Sequence, residues 1–133
     1  MLKLMLVEDG KVLLEMPLSM KSWDRRELKQ ELDGFDEQIE SMSGLFRVLS
    51  NEGRMRMMSA FFESEDRNMA FTQLMNELGM NPKLIWDSTK RLSRSGLIEK
   101  DDEGRYLPTR EGEAQFLVLG VAMRHIMQIL REM

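Results

Sequence analysis

Apolar positions recur along the chain in more than one rhythm, and each rhythm predicts an element. Lys3 to Glu8 and Lys11 to Met16 are short apolar runs separated by Asp9-Gly10, a pair suited to the positive φ angles of a two-residue turn. The chain therefore opens on a β-hairpin, which Pro17 ends. Pairing straight across the turn places Met5, Val7, Val12, Leu14 and Met16 on one face and Leu4, Leu6 and Leu13 on the other. Both faces are apolar, and a lone two-stranded ribbon is marginal in water, so the hairpin is expected to pack on the body of the protein or pair with another chain.

Helical spacing follows. Ser22 is placed to cap a short helix with Asp24 and Glu27 near its positive end and Leu28 and Leu32 on one side, and Asp33-Gly34 is expected to stop it. Phe35, Ile39, Met42, Phe46 and Leu49 then recur at steps of four, three, four and three, which predicts a helix with a narrow apolar stripe. Ser50-Asn51 interrupts, and Met55, Met58, Phe61 and Phe62 mark a further helix ending in the polar loop Glu63 to Asn68. Thr72 is read as the cap of a short helix carrying Leu74, Met75 and Leu78. Gly79 stops it, Asn81 offers a new cap, and Pro82 takes a first helical position, where its missing N–H costs nothing. The result is helix, tight turn, helix.

Leu97 to Lys100 and Arg105 to Pro108 flank the acidic turn Asp101 to Gly104 and read as a second hairpin. Thr109 then caps a long terminal helix reaching Met133. From Phe116 to Met123 that helix is apolar nearly all round, so burial on more than one side is expected. The predicted class is mainly α (α+β), divided into a hairpin at 1–17, a helical connector at 18–35, a central body at 36–110 and a terminal helix at 111–133.

Composition narrows the chemistry. At 133 residues the chain supports one well-cored fold, and 42% apolar with 32% charged residues is too hydrophobic for disorder and too interrupted by charge for a membrane span. There is no cysteine and one histidine, so no disulfide, thiolate site or thiol nucleophile is available and imidazole chemistry is nearly so. No spaced carboxylates, phosphate-cradling glycine loop or nucleophile elbow suggests an enzyme, and no cofactor is expected. The fourteen methionines lie mostly at helical core spacing, as at Met42, Met55, Met58 and Met123, and are read as core filling. His125, even beside a carboxylate such as Glu132, lacks the second imidazole that a metal site would want. The first apolar run is studded with Lys3, Glu8, Asp9 and Lys11 and is unlike a signal peptide, so a cytoplasmic location is expected.

Leu49-Ser50-Asn51 through Arg54, the turn around Gly79, the run Leu92 to Gly96-Leu97-Ile98, and Tyr106 followed by Thr109-Arg110-Glu111-Gly112 stand in an order and spacing that resembles the winged helix-turn-helix regulators of the ArsR and MarR type. The resemblance covers roughly residues 45 to 115. It implies a transcriptional regulator, a homodimer on double-stranded DNA, whose second helix, Pro82 to Ser95, enters the major groove while the wing touches the backbone. The terminal helix would join the two subunits. The cysteine and histidine clusters of ArsR-type metal sensors are absent, and the segment before residue 45 extends beyond the family pattern.

The wheel of that second helix can be read independently. At about 100° per residue, Ile85, Thr89 and Leu92 share a narrow arc suited to packing on the preceding helices. Lys83, Asp87, Lys90 and Arg94 lie within about 60° of one another on the opposite side, with Trp86 and Arg91 on the flanks. Four cations against one carboxylate make a basic stripe in a chain of net charge −4. Read alone, such a stripe is a solvated face in which Lys83 with Asp87, and Asp87 with Arg91, form pairs worth a few tenths of a kcal/mol. In the helix-turn-helix setting, Asn81 and Lys83 are expected to reach base edges, Asp87 to accept from cytosine, and Lys90, Arg91 and Arg94 to grip phosphate or guanine. Lys100 and Arg105, at the base of the second hairpin, are expected to reach the backbone, and Trp86 is expected at the core edge. A winged-helix module that binds proteins and not DNA is the alternative, favoured by the acidic net charge, by Asp101, Asp102 and Glu103, and by the two-faced first hairpin.

Overall fold

The computed structural model describes residues 1–133, which divide into two compact units, Met1–Met42 and Ser43–Met133. The chain is mainly helical.

In the first unit, β1 (Lys3–Glu8) and β2 (Lys11–Pro17) pair antiparallel around Asp9 and Gly10, whose φ angles of 50° and 82° are those of a tight hairpin turn. The expected faces are only half right. Val7 pairs with Val12, but Leu6 pairs with Leu14 and Leu4 with Met16, leaving Leu13 as an unpaired bulge residue. One extra residue reverses every side chain beyond it, so Leu14 and Met16 join Leu4 and Leu6 and not Met5 and Val7. Lys3 and Glu15 form an ion pair across the strands. No residue of this unit is fully buried, and Met5, Leu6, Val7, Leu13 and Leu14 are among its exposed side chains.

A single 3₁₀ turn (Met20–Ser22) leads to α1 (Arg25–Leu49), with the Trp23 indole donating to Pro17 O at 3.1 Å. Two expectations are corrected here. The cap is Asp24, whose carboxylate accepts from Glu27 N at 3.3 Å, and not Ser22. Asp33-Gly34 does not stop the helix, so the predicted connector and the stripe Phe35 to Leu49 are one element. Glycine inside a helix costs only about 1 kcal/mol relative to alanine, and strong helix formers stand within a turn on either side, Glu31 and Leu32 before it and Glu37 and Gln38 after, while Lys29 pairs with Asp33 at 3.5 Å. Phe35, Ile39 and Phe46 stay about half exposed.

The second unit holds the core: Val48, Leu49, Met57, Met58, Phe61, Met69, Leu74, Ile85, Leu92, Leu97, Ile98 and Tyr106. Asn51 Oδ1 accepts from Arg54 N at 3.0 Å and starts α2 (Glu52–Glu63), while Arg54 Nε donates to Val48 O at 2.6 Å and ties the end of α1 to the new helix. The next helix, α3 (Phe71–Leu78), is not capped by Thr72, which lies inside it. The Gln73 side chain instead reaches back to accept from Ala70 N at 2.8 Å. Gly79, at φ 62°, closes α3 in the left-handed conformation, and Asn81 Oδ1 accepts from Leu84 N at 2.9 Å to open α4 (Pro82–Arg94).

After α4, β3 (Ile98–Lys100) and β4 (Tyr106–Pro108) pair antiparallel, and Met69 adds a bridge to Tyr106 with bonds of 2.9 and 2.8 Å. Thr109 Oγ1 accepts from Gly112 N at 2.9 Å and starts α5 (Arg110–Phe116), which continues through a π-helical stretch (Leu117–Ala122) into α6 (Met123–Arg131). The expected burial of this helix on several sides is not met. Phe116 stacks on Phe62 at 5.2 Å, but Leu117, Val118, Val121 and Met123 are each at least 41% exposed, because a single chain covers only one side of a helix that is apolar around its circumference.

Candidate nucleic-acid interface

The orientation of α4 is fixed by what it buries. Ile85, Ser88, Thr89 and Leu92 are at most 6% exposed, so the opposite side faces solvent and carries Lys83, Asp87, Lys90, Arg91 and Arg94, all exposed. The buried arc is the expected one, with Ser88 added. The Thr89 hydroxyl donates to Trp86 O at 3.0 Å, so its burial leaves no polar group unpaired.

Charge on this face is unspent. The three ion pairs in the chain are Lys3 with Glu15, Lys29 with Asp33, and Arg56 with Glu52, so the Lys83–Asp87 and Asp87–Arg91 pairs of a plain solvated helix are not formed. The field reaches beyond α4. Burial, and after it the nearby charge of Arg91, pull the Arg54 guanidinium below its ordinary value. Arg54 is itself held by Val48 O and, at 3.3 Å, by Arg47 O.

Trp86 departs from its expected place at the core edge. It is 51% exposed, and Lys90 Nζ stands 3.9 Å above its ring. The indole forms one wall of a cleft of about 430 Å³ between α4 and the β3–β4 hairpin, shared with Lys90, Ser93, Glu99, Lys100 and Tyr106. Lys100 Nζ lies 5.2 Å from the Tyr106 ring centroid. The cleft thus brings together two ammonium groups that the sequence separates by ten positions.

Two other expected contacts are already engaged within the protein. The Asn81 oxygen is committed to its cap. Arg105 Nε donates to Asn68 Oδ1 at 2.8 Å, and its terminal nitrogen donates to Gln73 Oε1 at 2.5 Å, so this guanidinium fastens the hairpin to the start of α3. Asp101 is engaged as well, its carboxylate accepting from Glu103 N and Arg105 N at 2.9 Å each, which leaves Asp102 and Glu103 as the free acids of the tip. Sequence reasoning missed Asn68, Gln73 and Arg54. The first two lie 37 and 32 residues from Arg105, a separation that periodicity does not register. Arg54 stands in the Leu49-to-Arg54 motif, but its tie to Val48 O leaves no mark in the sequence pattern.

A separate apolar cavity of about 300 Å³ sits against the π-helical stretch, lined by Phe46, Leu49, Met55, Phe116, Leu119 and Met123. His125 stands 3.4 Å from the Arg124 guanidinium, and no three His, Asp or Glu side chains converge to hold a metal ion. No helix is long and apolar enough to cross a membrane. No protein-family model matches the chain, and no curated protein is similar to it in sequence.

Proposed function

We propose that the chain is a sequence-specific DNA-binding transcriptional regulator of winged helix-turn-helix form, with α3 and α4 as the helix-turn-helix, β3 and β4 as the wing, and α4 in the major groove. The observation that carries this is the outward face of α4, where Lys83, Lys90, Arg91 and Arg94 are exposed and unpaired in a chain of net charge −4. Cations left without an ion-pair partner on one face supply the counterion release from which most affinity for duplex DNA comes. Lys100 is the wing residue free to meet the backbone, whereas Arg105 contributes by holding the wing in place.

The regulator acts as a homodimer on this reading. The terminal helix leaves Leu117, Val118, Val121, Met123, Ile129 and Leu130 exposed, more apolar surface than a single chain covers and of the kind that a second copy buries in a two-fold interface. Two α4 helices related by such an axis would read two half-sites.

Titrating a labelled random-sequence duplex with the protein across a range of salt concentrations tests the proposal. Binding whose logarithm falls linearly with the logarithm of salt is expected, with a slope set by the phosphates neutralised. No binding at low salt would instead favour a protein-binding module, the reading to which the exposed hairpin and the free Asp102 and Glu103 lend support.

A further inference from the structure

An indole that stays half in water is unusual for so large an apolar side chain, and Trp86 does so on the flank of the cationic face of α4. Its ring holds the Lys90 ammonium at 3.9 Å, and that ammonium forms no ion pair. Across the cleft of about 430 Å³, Lys100 is drawn to the Tyr106 ring in the same manner. Glu99 is the one carboxylate on the lining, so the cleft carries a net positive charge. Two cations beside an exposed aromatic surface match the alternation of phosphate and sugar along a nucleic-acid strand.

We propose that the cleft between α4 and the β3–β4 hairpin is a strand-binding subsite, in which Lys90 and Lys100 neutralise backbone phosphate and the Trp86 indole packs on the adjoining deoxyribose. The inference rests on the DNA-binding reading and adds to it a contact that is not electrostatic. The indole also acts as a positioning residue, because an ammonium already seated on its face loses less freedom when it meets a phosphate. Glu99 opposes the strand and tempers its affinity.

The full chain carrying Trp23→Phe has Trp86 as its only indole, so its emission reports on the cleft alone. Emission is expected to change as a short random-sequence duplex is added, saturating where anisotropy of the labelled duplex saturates. Trp86→Ala should weaken binding by about tenfold or more while leaving the salt slope unchanged, because the lost contact releases no counterions. Trp86→Phe should recover part of the loss, Lys90→Ala should lower the slope by about one unit, and Glu99→Gln should tighten binding. Duplex binding without any change in Trp86 emission overturns the inference, as does unaltered affinity in Trp86→Ala, and either result leaves the DNA-binding reading standing. Absence of duplex binding by the parent chain at low salt overturns both.

Discussion

At the scale of single residues, Gly112 is the position where a side chain is least tolerable. A Cβ there would lie 2.0 Å from Leu97 O and 2.8 Å from Leu97 C. The Leu97 carbonyl has little room to retreat, since it accepts from Thr109 N at 3.0 Å while the Thr109 hydroxyl holds Gly96 O at 2.7 Å. Gly112→Ala is therefore expected to lower stability by about 3 kcal/mol or more, read as a fall in the denaturant midpoint. Gly34 is the counterpart, mid-helix with nothing within 4 Å of its missing Cβ. Gly34→Ala should add about 0.5–1 kcal/mol of helix stability, seen as a raised melting temperature for α1. Arg105 makes a third case. Its hydrogen bonds to Asn68 and Gln73 imply that Arg105→Ala costs about 1 kcal/mol in a thermal melt and changes duplex affinity less than Lys100→Ala does.

Among the elements, legibility in the sequence followed the range of the interaction that fixes each one. The wheel of α4 was readable because a 3.6-residue period forces Ile85, Thr89 and Leu92 to one side once any side is buried. The turn signals at Asp9-Gly10, Gly79 and Pro82 were readable for the same local reason. The bulge at Leu13 was not, because both strand faces are apolar and a one-residue slip leaves the pattern equally hydrophobic. The continuity of α1 through Gly34 and the bridge from Met69 to Tyr106 depend on competing or distant partners that no local pattern encodes. The tip of the β3–β4 hairpin combines both situations. Its carboxylates were plain in the sequence, but the commitment of Asp101 to two backbone N–H groups was not. Neutralising only Asp102 and Glu103, to Asn and Gln, should leave the turn intact. It should raise affinity for random duplex at low salt, where carboxylates within a Debye length of phosphate repel it. Competition binding at two salt concentrations checks this, and unchanged random-sequence affinity at low ionic strength would remove the tip from the account.

For the whole molecule, the proposed dimer through the exposed terminal helix would present the unpaired face of α4 twice. Light scattering should give twice the 15.6 kDa chain mass at micromolar concentration. Val118→Arg with Val121→Arg should return it to the monomer with its helical circular dichroism retained, because both side chains are already exposed in the single chain, at 56% and 41%. Whether the basic face of α4 reads DNA is decided by duplex binding of Lys90→Glu with Arg94→Glu. Both residues are exposed and unpaired, so the fold should survive their reversal. The parent chain is expected to bind duplex with a steep salt dependence, and the double variant, with the same helicity and the same mass in solution, to lose at least about a hundredfold in affinity at low salt. Undiminished binding by the double variant would contradict a DNA-reading role for that face.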